Sequence, residues 1–78
     1  MRPIKRSLTI AGHRTSISLE APFWEALKDV AAAEALTVTG VVARIDERRA
    51  AEGGETNGLS SRIRIHILQH YRDRARGP

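Results

Sequence analysis

Two histidines stand four residues apart in the segment HILQH, a spacing that brings two imidazoles together on one side of a helix. His66 and His70 therefore have the geometry of a metal-binding pair. A zinc protease needs a glutamate directly after the first histidine, and Ile67 occupies that position. The sequence has no cysteine and few other ligands in view. We therefore expect no metal and no cofactor, and we expect both histidines to pack at an interface or to face solvent.

The serine and glycine residues carry no catalytic pattern either. Ser60 and Ser61 stand in no recognisable nucleophile arrangement with the histidines. The segment GGETNG is rich in glycine, but it lacks the lysine and the helix context of a phosphate-binding loop. These residues predict a protein without enzymatic activity.

Basic residues are concentrated at the two ends of the chain, whose formal net charge is +4. Residues 1–19 contain four cations and no acid, and residues 59–78 contain five arginines against Asp73 alone. Eight of the nine acids lie between these segments. Two basic segments indicate a polyanion as the partner. Basic termini that serve solubility are the alternative.

The length and composition limit the class of protein. A chain of 78 residues forms one domain at most and has a thin core, for which oligomerisation is the usual remedy. The absence of cysteine fits a reducing cytosol. No apolar run approaches the roughly 20 residues of a membrane span. We expect a soluble cytoplasmic protein without a membrane partner. A basic amphipathic helix in RIRIHILQHYRDRAR that lies on an anionic membrane is the disfavoured alternative.

The segment KRSLTIAGHRTSISLE has the residues of a strand, but its apolar positions change phase. Leu8 and Ile10 are apolar at even positions, whereas Ile17 and Leu19 are apolar at odd positions. Because side chains alternate between the two faces of a strand, one flat strand cannot bury all four. The chain must therefore turn or bulge at residues 11–13. We interpret this point as the boundary where the chain leaves a β-ribbon; a plain hairpin turn is the alternative.

Three helices are predicted after the strands. The first begins at Pro22 and runs to about Ala35, with apolar residues at i, i+4, i+7 and i+8. Thr37 is a good N-cap for a second helix. The segment LSSRIRIHILQHYRDRA predicts a third helix, although its alternating isoleucines leave a strand as the alternative.

A single exposed strand before these helices needs a partner for its backbone groups. The simplest partner is the same strand of a second copy, related by a two-fold axis. Ile17 and Leu19 would then face the helices, and Arg14, Ser16 and Ser18 would face outward.

In this order of elements the sequence resembles the ribbon-helix-helix transcription factors of the MetJ and Arc type. The resemblance runs without a gap from Arg14 to about Ile45, through RTSISL and VAAAEALTVTGVV. The combination of KRSLTIAGHRTSISLEAPFWEAL with a downstream LSSRIRIHILQHYR is similar to an uncharacterised bacterial subfamily of that family. The resemblance implies a mainly α fold with a short N-terminal β-ribbon, in which an intertwined homodimer carries an additional C-terminal helix.

The resemblance also implies a function and its residues. The protein is expected to bind double-stranded DNA and to regulate transcription, with the ribbon in the major groove. Arg14, Ser16 and Ser18 match the base-contacting positions, and Thr39 and Gly40 match the helix start that grips a phosphate. A mobile basic arm would add further phosphate contacts through Arg2, Lys5 and Arg6. The dimer core implied by the same match comprises Ile17, Leu19, Leu27, Val41, Val42 and Ile45.

This interpretation divides the chain into four segments. Residues 1–13 form a basic arm with a short strand, and residues 14–52 form the ribbon-helix-helix core. Residues 53–58 form a polar, glycine-rich loop, and residues 59–78 form a basic amphipathic helix and tail.

Two features weaken the expected DNA recognition. Serine bonds to several base edges and discriminates poorly between them, so only Arg14 offers the commonest specific contact. A strand at residues 7–10 that folded back as a hairpin would occupy the edge that the dimer needs. The alternative function is therefore a homodimeric protein-interaction module, an adaptor or antitoxin, with weak or no sequence-specific DNA binding.

Overall fold

The structure, a computed structural model, describes residues 1–52 and 58–77. The elements in chain order are β1 (Ile4–Ile10), β2 (His13–Leu19), α1 (Ala21–Ala33), α2 (Val38–Ala51) and α3 (Leu59–Arg76). The predicted polar loop at residues 53–58 lies outside the described residues except for Gly58, which precedes α3. The mainly helical fold with an N-terminal ribbon and a third helix is confirmed, and α3 is a helix rather than a strand.

β1 and β2 form an antiparallel hairpin within one chain, with Ile10 opposite His13 and Ile4 opposite Leu19. Ala11 and Gly12 form the turn, and their φ angles of 51° and 82° are the two positive values that a tight two-residue hairpin turn requires. Glycine adopts such an angle without strain, which explains Gly12. The strand that we expected from a second copy is therefore supplied by residues 4–10 of the same chain.

The phase change in the sequence is a direct consequence of this turn. With two residues in the turn, each even-numbered residue of β1 lies opposite an odd-numbered residue of β2 on the same face. Leu8 and Ile10 thus share a face with Ile17 and Leu19. Our interpretation of residues 11–13 as the point where the chain leaves a ribbon is wrong, and the hairpin turn is correct.

The inner face of the hairpin packs on the helices, with α2 against β1 and α3 against β2. All six residues of the expected dimer core are buried within the single chain, so their burial does not require a second copy. β1 and α3 add Ile10, Ile63 and Ile67 to the same cluster. The complete core comprises Ile10, Ile17, Leu19, Trp24, Leu27, Val30, Ala31, Val41, Val42, Ile45, Ile63 and Ile67.

The connection between α1 and α2 is tight because the chain reverses at Ala35. Ala35 has a left-handed φ of 57°, and the amide of Leu36 donates to the carbonyl of Ala31 at 2.9 Å. The first helix consequently ends at Ala33, two residues before the predicted end. The predicted N-cap of α2 is confirmed, because Oγ1 of Thr37 accepts a hydrogen bond from the amide of Gly40 at 3.0 Å.

Replacement of Ala35 by glycine is expected to stabilise the domain. The left-handed conformation costs an alanine about 1–2 kcal/mol, and glycine adopts it freely at the end of a helix. After the larger entropy of the unfolded glycine chain is subtracted, Ala35→Gly should raise the free energy of unfolding by about 0.5–1 kcal/mol. Urea denaturation measures the change. The matched control, Ala32→Gly within α1, should instead lower stability by about 1 kcal/mol.

α3 is fastened to the end of β2 by polar contacts. The amide of Ser18 donates to Oγ of Ser60 at 3.3 Å, and Nη2 of Arg64 lies 3.4 Å from the Ser18 carbonyl. The same guanidinium bonds to Oε1 of Glu20 at 2.8 Å and lies over the ring of Phe23. These contacts join β2, the start of α1 and α3 at one point. No helix of the described residues has the length and apolar character that a membrane crossing demands.

The ion pair at this point makes stability depend on pH. The hydrogen bond from Arg64 lowers the pKa of the Glu20 carboxyl from its ordinary value of 4.5. A lowered pKa in the folded state contributes stability above pH 4.5, and this contribution is lost as the pH falls through the lowered value. Arg64→Met should therefore reduce stability at about pH 7 more than at about pH 3, as urea denaturation at both values would measure. The control is Arg72→Met, because Arg72 has no ion pair within the described part of α3. An equal loss at both pH values would show that Arg64 acts through packing alone.

Candidate nucleic-acid interface

The face of the hairpin that points away from the helices consists of hydroxyls and cations. Its three cross-strand pairs are Lys5 with Ser18, Ser7 with Ser16, and Thr9 with Arg14. All of these residues are exposed except Ser18, which is half-buried. We call this surface the outer face, and it comprises Lys5, Ser7, Thr9, Arg14, Ser16 and Ser18.

The outer face is electropositive because it carries two cations and no acid. Lys5 and Arg14 form no ion pair with any described residue. Several acids of the chain instead form ion pairs with arginines of α2 and α3. Asp46 binds Arg49 at 2.9 Å, Glu52 binds Arg62, and Glu20 binds Arg64. Positive charge therefore remains unneutralised on a surface of short hydrogen-bonding side chains.

The three residues expected to contact bases lie together on this face. Arg14 and Ser16 are exposed, whereas the backbone of Ser18 is engaged by α3. Ser7 and Thr9 lie opposite Ser16 and Arg14 and were not among the residues predicted from the sequence. The phase change of the apolar residues was the signal that could have found them, because it assigns the odd positions of β1 to the outer face.

The expected mobile arm is largely part of the hairpin. β1 begins at Ile4, so Lys5 and Arg6 belong to the strand and only residues 1–3 precede it. The guanidinium of Arg6 lies 4.9 Å from the ring centroid of Trp24, and Nε1 of Trp24 donates to the carbonyl of Ile4 at 2.9 Å. Arg6 therefore faces away from Lys5, toward α1, because consecutive residues alternate faces.

The start of α2 provides backbone N–H groups at the positive end of a helix dipole. Thr39 and Gly40 are both half-buried there. The amide of Gly40 is already used by the Thr37 cap, so the earlier amides of the first turn remain for a ligand. A Cβ at position 40 would lie 3.2 Å from Oγ1 of Thr37 and 3.6 Å from Cβ of Leu36. Glycine is therefore favoured at position 40, because a larger side chain would crowd Thr37 and Leu36 at the start of α2.

The two histidines contact different neighbours. Nε2 of His66 lies 2.8 Å from Oε2 of Glu34 at the end of α1. The ring of His70 packs at 88° to the ring of Tyr71, with 5.0 Å between the centroids. Within residues 1–52 and 58–77, no group of three or more potential ligands could hold a metal ion.

Comparison with known proteins gives two matches to this architecture. A family model described as "ribbon-helix-helix domain" matches residues 3–71. An uncharacterised protein from Bordetella pertussis Tohama I has a solved structure similar to this chain, with 31% sequence identity and a TM-score of 0.81. The match covers 96% of this chain and 60% of the Bordetella chain. No curated protein matches the chain. The matched family has a non-enzymatic DNA-binding fold, and its domains generally form dimers.

Proposed function

Because the chain belongs to the ribbon-helix-helix domain family, we propose that it binds double-stranded DNA through the outer face of its hairpin and regulates transcription. One observation carries the proposal: every side chain on the outer face is a hydroxyl or a cation, and the face is presented by a two-stranded ribbon. We further propose that the protein acts as a homodimer in the bacterial cytoplasm and needs no cofactor.

The dimensions of the hairpin suit the major groove. The groove is about 12 Å wide and admits a two-stranded ribbon. Arg14 can donate two hydrogen bonds to O6 and N7 of a guanine. A hydroxyl can form hydrogen bonds with the edges of several different bases, and the face carries such hydroxyls at Ser7, Thr9 and Ser16. We therefore propose that the ribbon has one discriminating contact and otherwise weak sequence preference.

Phosphate contacts would hold the ribbon in the groove. Arg2 and Lys5, at the start of the hairpin, would contact phosphates. The amides that precede Gly40 in the first turn of α2 would bind a further phosphate at the positive end of the helix dipole. Arg6 is the weakest member of the proposed set, because its guanidinium lies over Trp24 instead. These contacts position the protein and carry no sequence information.

A second candidate function rests on α3. Three large apolar side chains on this helix are exposed, with Ile65 at 51%, Leu68 at 57% and Tyr71 at 40%. Together with Phe23 they line an apolar groove. A contiguous exposed apolar patch is typical of a protein-binding surface. The adaptor or antitoxin-like function would use this groove, either alone or together with DNA binding.

The decisive experiment is a titration of duplex DNA with the purified protein at several salt concentrations. Random sequence is compared with the DNA upstream of the protein's own gene. For a protein that grips phosphates, log affinity falls with log salt at a slope of about −0.9 for each neutralised phosphate.

The outcomes separate the two candidate functions. A steep slope with tighter binding to the upstream DNA supports a specific regulator. A steep slope with equal affinity for random and upstream DNA supports a nonspecific binder and contradicts the proposed regulatory function. Absence of binding at about 50 mM salt overturns the DNA proposal and leaves the apolar groove of α3 as the functional surface.

A further inference from the structure

A cavity of about 170 Å³ lies between α2 and α3. It is lined by Ile45 and Arg48 of α2 and by Arg62, Ile65, His66 and Gln69 of α3. A second cavity, of about 90 Å³, is lined by Glu34, Arg44, Ile45, Arg48 and His66. Because three residues line both, the two cavities lie side by side. We call them together the interhelical cavity.

The cations of the interhelical cavity come in two pairs, one from each helix. Arg44 and Arg48 stand four residues apart on α2, and Arg62 and His66 stand four residues apart on α3. Residues at this spacing lie on the same side of a helix. Because all four side chains line the cavity, nitrogen donors from two helices converge on one space.

The pair on α2 is free to bind a ligand. Arg44 and Arg48 are exposed, and neither forms an ion pair with a residue that the structure describes. A guanidinium is a planar fork that matches the two oxygens of a carboxylate or phosphate. This pair therefore offers two unused forks at one wall of the cavity.

The pair on α3 is held in place by acids. Arg62 binds Glu52, and Nε2 of His66 lies 2.8 Å from Oε2 of Glu34. Groups that are already positioned lose less entropy when a ligand binds. Glu34 is the one acid among the described lining residues, which include three arginines. Positive charge therefore exceeds negative charge in the cavity, even when Glu52 is counted.

The cavity also has an apolar wall. Ile45 is buried, whereas Ile65 is exposed beside the cations. Apolar walls keep water away and strengthen the electrostatic attraction between a cation and an anion. A ligand with aliphatic carbon would cover Ile65 and gain the free energy of apolar burial.

The size and position of the cavity limit its ligand. A volume of about 170 Å³ equals about six water molecules at about 30 Å³ each, which suits a compact ligand. Drug-sized molecules need about 300–1,000 Å³. No residue of β1 or β2 is among the described lining residues, so the cavity is separate from the outer face.

We propose that the interhelical cavity binds a small organic anion with two or more negative charges, either a phosphate ester or a dicarboxylate. The free arginines of α2 would bind the anionic groups, and Ile65 would contact the carbon chain. The bound anion would bridge α2 and α3 and stabilise the folded chain by mass action. This proposal concerns ligand binding and does not rest on DNA binding.

Calorimetric titration with glycerol 3-phosphate and, separately, with succinate tests the proposal. Sodium chloride keeps the ionic strength constant, so that screening is equal at every point. At least one probe should bind saturably with a dissociation constant below about 1 mM, and the tighter probe identifies the anionic group. Inorganic phosphate should bind at least about threefold more weakly than that probe, because it has no carbon to cover Ile65.

Two variants that remove the same charge show whether the cavity is the site. Arg48 lines both parts of the cavity, whereas Arg72 lies on α3 and lines neither. Arg48→Gln should weaken binding of the tighter probe at least about tenfold, because a charged fork is lost. Arg72→Gln should leave the affinity unchanged. Both side chains are exposed, so both variants should fold, as circular dichroism would verify.

Nuclear magnetic resonance locates the bound probe. Its addition should shift the amide signals of Ile45, Arg48 and His66. Shifts confined to Gly40 or to the outer face would place the anion at the proposed DNA contacts and overturn the proposal.

Three other results would also overturn it. Equal weakening in Arg48→Gln and Arg72→Gln would mean that net charge alone attracts the probe. Inorganic phosphate that bound as tightly as the better probe would exclude an organic anion as the preferred ligand. If neither probe saturated by about 10 mM and Arg48→Gln weakened duplex binding, the cations would contact DNA phosphates instead.

Discussion

Leu19→Asp is expected to abolish folding of the domain at any protein concentration. Leu19 ends β2 with none of its surface exposed, and it lies in the core that one chain forms by itself. An unpaired carboxylate at this position costs several kcal/mol, while a domain of this size has a total stability of about 4–12 kcal/mol. Far-UV circular dichroism should show little helix and no cooperative thermal transition.

The control for this variant places the same charge on the opposite face of the hairpin. Thr9 is exposed and lies across from Arg14. Thr9→Asp should change the free energy of unfolding by no more than about 0.5 kcal/mol. A cooperatively folded Leu19→Asp would contradict the burial of this residue, whereas unfolding of both variants would indicate a general intolerance of the hairpin to acids.

The second large effect concerns DNA. Reversal of both outer-face cations in Lys5→Glu/Arg14→Glu should weaken duplex binding more than tenfold at about 50 mM salt, because Lys5 loses its phosphate contact, Arg14 loses its guanine contact, and both positions become repulsive to DNA. The slope of log affinity against log salt should become shallower by about 1, because Lys5 is the one proposed phosphate contact of the pair. Both residues are exposed and unpaired within the described chain, so the fold should persist.

A second double variant separates the position of the charges from their number. Lys28 and Arg76 lie on α1 and α3, and both are exposed. Lys28→Glu/Arg76→Glu lowers the formal net charge from +4 by four, to zero, as the outer-face variant does. DNA affinity should fall much less than in the outer-face variant. Equal losses in the two variants would mean that net charge, and not the hairpin, determines binding.

The order of elements could be predicted from local patterns. The N-cap of α2 at Thr37 and the apolar repeat of α1 could be predicted from neighbouring residues alone. The end of α1 was placed two residues too late because alanine is an excellent helix former. Nothing in the local sequence indicates that Ala35 adopts a left-handed conformation to turn the chain into α2.

The hairpin shows a different kind of limit. The phase change between Ile10 and Ile17 was visible, and it is the parity that a two-residue turn demands. The resemblance to a family with one ribbon strand per chain favoured a boundary instead. The contacts of Ser18 and Glu20 with α3 could not be predicted, because their partners lie more than 40 residues away in the sequence.

The placement of both ribbon strands in one chain also determines how the protein reaches its native state. The two strands are joined by two residues, so the hairpin forms by a local closure that takes about 1–10 μs in isolated peptides. After the hairpin has formed, the remaining tertiary contacts of the core are also made within the same molecule. Folding is therefore a first-order process whose rate does not change with protein concentration, and a newly synthesised chain can complete its core before it meets another copy.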